Sequence, residues 1–245
     1  MCAKSAEKIY KYHVANLRSI EIALKNTSLS ARKAISEENI KATESFVRLY
    51  AFLLGAWAET RLKKILYEKR GFNSEERERI LGEKTLLQQW LKSIELAYRK
   101  HYKIAHVPLT EKTIPFTAFA RFKELNDILE HDLRSIIEIR NKLAHGQWIY
   151  PFNNVGTDIE EDKYLKLKVQ NILHLQFKKK LISELSQLIH DLVISLATFD
   201  RDFDSNYKQI IHTRNNLRHR SYSKYKKLLI DKRQRGIEKR RKLKA

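Results

Sequence analysis

The chain is poor in the residues that break helices and in the residue that forms disulfides. Its 245 positions include three proline, six glycine and one cysteine residue. Long apolar patterns with three-to-four spacing fill the segments between the few prolines and glycines, which favours an α-rich protein. A single cysteine, Cys2, excludes an intramolecular disulfide and a zinc site built from cysteines, and it is typical of a reducing compartment.

Long apolar runs and familiar ligand sets are also missing. The longest uncharged apolar segment, residues 49–58, is far shorter than the ~20 residues that span a bilayer, and the first eight residues contain no apolar signal-peptide core. The sequence has no H-E-x-x-H motif, no Cys/His cluster, no acidic cluster for magnesium and no glycine-rich phosphate loop. We therefore expect a soluble, cytoplasmic protein that uses no metal or cofactor and does not associate with membranes.

Positive charge is abundant and concentrated near the C-terminus. Lys and Arg number 49 against 29 Asp and Glu, which gives a formal charge of +20, and residues 201–245 carry +12 of this excess. Such a charge predicts a polyanionic partner. We predict a helical domain over residues 1–203 and a polybasic extension, helical or partly disordered, over residues 204–245. The residues of the extension expected to bind the phosphates of this partner are Arg214, Arg218, Arg220, Tyr222, Lys224, Tyr225, Lys226 and Lys227.

The apolar spacing predicts an all-α bundle. Turn and capping residues at 26–30, with Ser30 as N-cap, predict the end of the first helix, and two prolines indicate a loop over residues 104–115. After residue 146, aromatic and turn residues and the alternation over 163–169 predict a two-stranded hairpin or an extended loop. The helices are expected at about residues 5–25, 30–69, a short segment from Ser74, 83–102, 116–146 and 172–203.

The helix predicted from Phe116 ends in a polar group of residues. Its apolar face is followed by Arg140, Asn141 and His145, and then by Gly146, the residue type that accepts a left-handed conformation just past a helix. Asn141 and His145 are four positions apart and share a face, whereas Arg140 and His145 are about 140° apart around the axis. A long arginine side chain could close that gap.

This run resembles a known family signature. Arg140-Asn141-x-x-x-His145, followed by Gly146-Gln147-Trp148 at the end of an amphipathic helix, is similar to the R-(N/D/H)-x-x-x-H motif of the HEPN (higher eukaryotes and prokaryotes nucleotide-binding) superfamily. The resemblance covers most of residues 30–200 in helix order. It implies a HEPN-like antiparallel helical bundle, a metal-independent endoribonuclease activity and a homodimer with a composite site.

The residues themselves suit metal-free RNA cleavage, because RNA supplies its own nucleophile in the ribose 2′-OH. The protein must then orient that hydroxyl, transfer protons and stabilise charge on the phosphate. His145 suits proton transfer, Arg140 suits the phosphate, and Asn141 could orient His145 or the substrate. One histidine per chain is sparse for a reaction that uses both an acid and a base, and a two-fold dimer would supply two.

Structural interpretations of these residues stay open beside the catalytic one. Arg140 could pair with Glu138 or Glu59, and His145 could be a helix-terminal residue bonded to a backbone carbonyl. Glu59 and Arg61 are either surface groups or part of a cleft that faces His145.

Two further patterns have a structural interpretation as well. Trp148 and Tyr150 could stack on a base but more often such aromatics cover the end of a core helix. The spacing from Arg214 to His219 repeats the arginine and histidine of the motif in a segment without an evident buried face, so we do not expect it to be catalytic.

Two functions follow for the whole chain. The first is an endoribonuclease that cleaves RNA in host defence or in a toxin-like role. The second is a non-catalytic HEPN-like module that binds RNA or a protein partner, and in either case a neutralising or regulatory protein partner is compatible with the sequence.

Overall fold

The computed structural model describes residues 5–243, and Cys2 lies outside this range. The described chain is helical throughout, with no residue in a sheet strand, which confirms the all-α fold class. The helices are α1 Ala6–Ser36, α2 Ile40–Leu66, α3 Ser74–Leu81, α4 Leu86–Tyr102, α5 Phe116–Ile128, a π turn Leu129–Leu133, α6 Arg134–Ala144, α7 Glu161–Lys168, α8 Ile172–Ile194, α9 Leu196–His219 and α10 Tyr222–Lys242.

The turn predicted at residues 26–30 is wrong, because α1 continues through it to Ser36. The buried stripe of the helix runs on across this segment, with Leu24, Thr27 and Ala31 all buried. Ser28 accepts a hydrogen bond from Gln176 of α8 at 2.6 Å, so a residue typical of caps serves here as a contact between helices. Packing of the continuous stripe outweighs the local capping preference.

The real break between the first two helices lies at Glu38, where φ is +55°. The N-cap of α2 is therefore Asn39 and not Ser30. Its side chain accepts a hydrogen bond from the backbone N–H of Ala42 at 3.0 Å. The two long helices then pack side by side along much of their length.

The short third helix begins at Ser74, as predicted. Asn73 is its N-cap, and the side chains of Asn73 and Glu76 bond each other's backbone N–H groups in a capping box. The fourth helix starts at Leu86 because Thr85 and Gln88 form a second capping box three residues later than the predicted start. It ends at Tyr102, as expected, and the chain from Ile104 to Pro115 contains no regular helix.

The helix predicted over residues 116–146 is interrupted by a π turn. In this turn the N–H of Arg134 bonds the carbonyl of Leu129, five residues back. On its two sides, α5 packs against α4 and α6 packs against α2. The segment that carries the motif is therefore two helical pieces with different neighbours.

The segment after the motif is an extended loop and not a two-stranded hairpin. A lone antiparallel bridge joins Phe152 and Ile159. The alternating segment predicted as a strand is helix α7, in which Leu167 is buried while Leu165 stays exposed. Acidic residues in its first turn and lysines in its last turn complement the helix dipole.

The helix predicted over residues 172–203 is two helices. It breaks at Ser195, whose backbone is extended and whose side chain caps α9 by accepting a bond from the N–H of Thr198 at 3.3 Å. The predicted domain boundary between residues 203 and 204 lies inside α9, which continues to His219.

The last helix packs against the first. Leu229 is buried, Tyr222 and Tyr225 are partly buried against the core, and Arg233 donates to Glu37 at the end of α1. Burial raises the pKa of both tyrosine hydroxyls. No helix within residues 5–243 is both long enough and apolar enough to cross a membrane.

Candidate functional site

The end of α6 has the cap that its sequence predicts. His145 closes the last turn, with its N–H directed at the carbonyl of Asn141 at 3.2 Å, and Gly146 follows with φ +76°. The N–H of Gln147 then bonds the carbonyl of Lys142 at 3.0 Å. This bonding pattern satisfies carbonyls of the last turn and directs the chain away from the helix at once.

The side chain of Arg140 packs against α2 at Gly55, a residue without a side chain. A Cβ atom added to Gly55 would be 2.4 Å from Cβ of Arg140 and 2.5 Å from its Cγ. The two helices can approach this closely because residue 55 is glycine. The arginine stem is thereby held between the helix backbones, and its guanidinium is fixed at the rim of the contact.

The guanidinium of Arg140 donates two hydrogen bonds and has one buried nitrogen without a partner. Its Nη2 donates to Oε2 of Glu59 at 2.6 Å, and its Nη1 donates to Oδ1 of Asn141 at 3.1 Å. Its Nε is buried without a hydrogen-bond partner. The other carboxylate oxygen of Glu59 accepts from Lys63 at 2.7 Å.

The side chains of Arg140 and Glu59, which form an ion pair, are each 29% exposed. Pairs with such access to solvent contribute roughly 0.2–1 kcal/mol to stability. The larger effect of this pair is therefore on position, since it holds the guanidinium over α2. Of the two predicted structural partners of Arg140, the structure selects Glu59, whereas Glu138 faces Lys166 of α7 at 3.5 Å.

Asn141 and His145 are both exposed. The carbonyl oxygen of the Asn141 side chain is bonded to Arg140, so this residue orients the arginine and not the histidine. The imidazole of His145 makes no hydrogen bond or ion pair with any other described residue, so the alternative in which a backbone carbonyl satisfies the ring is not observed. A free imidazole at an exposed helix end is accessible to a substrate.

The guanidinium of Arg140 and the chain that follows His145 lead towards opposite parts of α2. Ile149, four residues beyond His145, lines a groove together with Arg48, which lies about two turns before Gly55 in α2. The chain beyond His145 thus runs towards the N-terminal end of α2. Arg140 reaches the other way, towards Glu59, one turn after Gly55.

The loop after the motif is held against α6 by residues of α6 and of the loop. Lys142 is 9% exposed, and its ammonium donates to the carbonyl of Phe152 and to Glu160. Hydrogen bonds from Lys163 and Lys142 lower the pKa of Glu160. The indole N–H of Trp148 donates to the carbonyl of Leu143 at 3.1 Å.

The two aromatic residues of this loop have different surroundings. Trp148 packs on the core and covers the end of α6, which confirms the structural interpretation for this residue. Tyr150 is 50% exposed and stacks on Tyr164 of α7, with ring centroids 5.8 Å apart. An exposed stacked ring remains accessible to a base.

A groove of about 490 Å³ opens beyond this loop. It lies between the turn joining α1 and α2, helix α7 and the start of α10. Glu38 and Glu44 contribute carboxylates, and Arg48 is 3.5 Å from Glu44. The aromatic and basic residues that line the groove are Tyr164, Tyr222, Arg48, Lys168 and Lys226.

The residues predicted to bind RNA occupy three kinds of position. Arg214 is partly buried and bonded to Asp132 of the π turn through Nε at 2.9 Å, and the buried residues Ile210 and Thr213 give this part of α9 the supporting face that the sequence did not reveal. Tyr222 and Tyr225 are partly buried and Lys226 lines the groove. The exposed members are Arg218, Arg220, Lys224 and Lys227.

Sequence reasoning missed two residues and left two others undecided. Gly55 and Lys142 gave no signal, because a glycine in a helix and a lysine near a helix end are both ordinary. Glu59 proves to be the partner of Arg140. Arg61 does not join this pair. Burial lowers the pKa of Arg61, and the negative charges of Glu21 in α1 and Asp191 in α8 oppose that shift.

Among residues 5–243, no three His, Cys, Asp or Glu side chains are grouped to hold a metal ion. Comparison of the chain with family models, with curated proteins and with solved structures found no match.

Proposed function

We propose that this protein is a metal-independent endoribonuclease of the HEPN type that cleaves RNA through attack of the ribose 2′-OH. The observation that supports it best is the arrangement at the end of α6, where an arginine held by Gly55, Glu59 and Asn141 is followed one turn later by an exposed, unpaired histidine. The proposal includes a cytoplasmic location and a role in host defence or as a toxin.

Each residue has a role that its surroundings permit. The charged fork of Arg140 can bind two oxygens of a phosphate if it exchanges its bond to Glu59 for the substrate. Asn141 orients the guanidinium by accepting a hydrogen bond from its Nη1. His145 transfers a proton to or from the ribose hydroxyl or the leaving oxygen.

The presence of one motif histidine per chain favours a composite site. A two-fold dimer that pairs the ends of two α6 helices would place two arginines and two histidines around one cleft. One histidine could then act as base and the other as acid. Exposed apolar residues beside the motif, Ile149 and Tyr150, give such a dimer a surface to bury.

RNA would be drawn to the site by the basic C-terminal helix. Its residues Tyr222 and Lys226 line the same groove as Ile149 of the loop that follows His145. Lys224 and Lys227 of the same helix are exposed. Contacts of this kind hold the phosphate backbone without reading its sequence.

A second candidate is a non-catalytic module that binds RNA or a protein partner. The bond between Arg140 and Glu59 favours it, since a carboxylate already occupies the group that the reaction needs. A neutralising or regulatory partner would act on the same surface.

Cleavage of RNA by His145→Ala and Arg140→Lys variants separates the two functions. We expect both variants to fold, as judged by circular dichroism, and to lose cleavage, because lysine retains the charge but not the fork. The wild type should remain active in EDTA and leave a 2′,3′-cyclic phosphate on the 5′ fragment. Unchanged cleavage by His145→Ala would exclude the proposed site.

Mixing the two kinds of variant tests the composite site. Heterodimers of His145→Ala with Arg140→Ala retain one arginine and one histidine from different chains, so the mixture should cleave RNA faster than either pure variant. A wild-type protein that is monomeric by sedimentation and still active would contradict the dimer.

A further inference from the structure

A small cavity of about 210 Å³ lies on another side of α6 from Arg140. Ser135 and Ile139 of α6 form one wall, and Leu175 and Leu217 close the apolar part. Its size is below the roughly 300–1,000 Å³ of pockets that take drug-sized ligands. The polar residues that line it are Ser135, Lys166, Gln170, His174 and Lys178.

Lys178 is a cation without a partner. It is partly buried, and its ammonium makes no hydrogen bond or ion pair with any residue from 5 to 243. Burial lowers its pKa; the charge of Asp132 opposes this shift and that of Lys166 adds to it. The carboxylate of Asp132 is bonded to Arg214 and forms no hydrogen bond with Lys178, so the ammonium keeps its donors for a ligand.

Two more donors face the same space. The side-chain oxygen of Asn171 accepts from the backbone N–H of His174 at 3.0 Å, which leaves its NH₂ group to donate to Nδ1 of His174 at 3.1 Å. The neutral imidazole must therefore carry its proton on Nε2, where it can donate to a ligand. Lys166 is half exposed and only 3.5 Å from Glu138, a weak contact that leaves its ammonium available.

Gln170 adds an acceptor that lacks a donor. Its Oε1 is buried and makes no hydrogen bond in the described chain. A ligand that carries its own O–H group would satisfy this atom. Hydrogenphosphate has such a group at neutral pH, whereas sulfate has none.

We infer that this cavity binds a phosphate group, either as free inorganic phosphate or as the terminal phosphate of a small phosphomonoester. Lys178, Lys166 and Nε2–H of His174 bind the oxygens, and Gln170 accepts from the P–OH of hydrogenphosphate or of a phosphomonoester in its singly charged form. The site stands apart from the proposed nuclease site and does not depend on it.

Phosphate titration of the full chain by calorimetry at ~0.15 M salt tests this site, since that salt screens diffuse attraction to a basic surface. We expect saturable binding of one phosphate per chain, weaker binding of sulfate, and about a tenfold loss of phosphate affinity in Lys178→Met. Lys208→Met removes the same charge from an exposed position on α9 and should leave the affinity unchanged.

The comparison of ligands identifies the source of the phosphate. Adenosine 5′-monophosphate that binds more tightly than phosphate points to a phosphomonoester, and weaker binding points to the free ion. Absence of saturable binding, or equal losses in Lys178→Met and Lys208→Met, would overturn the site. If Lys178→Met does not fold, Lys166→Gln at its half-exposed position decides in the same way.

Discussion

Gly55 and Arg140 form a close contact between α2 and the motif helix. The atoms that a new Cβ at residue 55 would meet are Cβ and Cγ of Arg140, which are the rigid stem of that side chain and not its flexible end. A larger residue must therefore push the two helices apart. The position of Arg140 therefore depends on the absence of a Cβ atom at residue 55.

We predict that Gly55→Ala destabilises the protein by about 1–3 kcal/mol in urea unfolding, because overpacking outweighs the better helix propensity of alanine. Gly236→Ala in α10 is the matched control. Nothing lies within 4 Å of a Cβ at that position, so the change should stabilise the protein by roughly 0.5–1 kcal/mol.

A double variant sharpens the test. Arg140→Ala removes the Cγ atom at 2.5 Å but keeps the Cβ atom at 2.4 Å from the new methyl group, so it should relieve only part of the cost of Gly55→Ala. Equal stabilities of Gly55→Ala and Gly236→Ala would show that the helices do not approach as described.

Residue patterns predicted the local structure of the motif better than its long-range contacts. The helical cap at Gly146 and the exposure of His145 follow from local sequence. The pairing of Arg140 with Glu59 joins residues 81 positions apart, and helical spacing on one segment has no information about which distant helix lies opposite.

Among the helices, α9 is joined to the π turn by an ion pair. Arg214 donates to Asp132 from a position where both side chains are 21% exposed. Arg218, one turn later on the same helix, is exposed. Two arginines with the same predicted role therefore have different surroundings.

We predict that Arg214→Gln lowers the free energy of unfolding by about 1–3 kcal/mol, because Asp132 loses hydrogen bonds from a charged donor. Arg218→Gln should leave stability within ~0.5 kcal/mol of the wild type and weaken RNA binding instead. Thermal unfolding and fluorescence anisotropy with labelled RNA measure the two effects. The reverse pattern would make Arg214 an RNA contact and Arg218 a structural residue.

The elements that sequence predicted correctly are those whose signals are local. The start of α3 after Asn73 is marked by a capping box and was predicted, whereas the start of α4 after Thr85 has the same kind of box and was predicted three residues too early. The errors at residues 26–30 and 163–169 arise because burial decides between two locally acceptable structures: Thr27 is buried in a continuing helix, and Leu165 is exposed where a strand would have buried it. Such burial is determined by helices far away in the chain.

Over the whole molecule, the basic C-terminal helix combines two roles that a truncation would confuse. Its exposed face carries charge, while Leu229, Tyr222 and Tyr225 cover α1. Removing residues 221–245 would expose that surface and alter stability together with RNA affinity. Replacing exposed charges separates the two effects.

We predict that changing Lys224, Lys227, Lys232 and Arg235 together to Gln weakens RNA binding and flattens its dependence on salt, because each lost phosphate contact on a single strand lowers the slope by about 0.7. Helicity should not change. The control is a variant with the same loss of charge at exposed positions elsewhere, namely Lys84, Lys103, Lys112 and Lys208 to Gln. A control variant that flattens the slope equally would show that α10 has no special role.

The π turn at Leu129–Leu133 sets the direction in which the motif side chains leave the helix axis, because it contains one extra residue. A π turn, whose hydrogen bond reaches five residues back, holds one residue more than an α turn. The side chains of α6 are therefore rotated about the helix axis by about 100° from where an uninterrupted continuation of α5 would place them. Deleting any one residue of the turn would make the helix continuous and swing Arg140 about a quarter of a turn away from Gly55. The orientation of the site around the helix axis thus depends on the number of residues in this turn. Substitutions do not change that number, whereas deletion of one residue does.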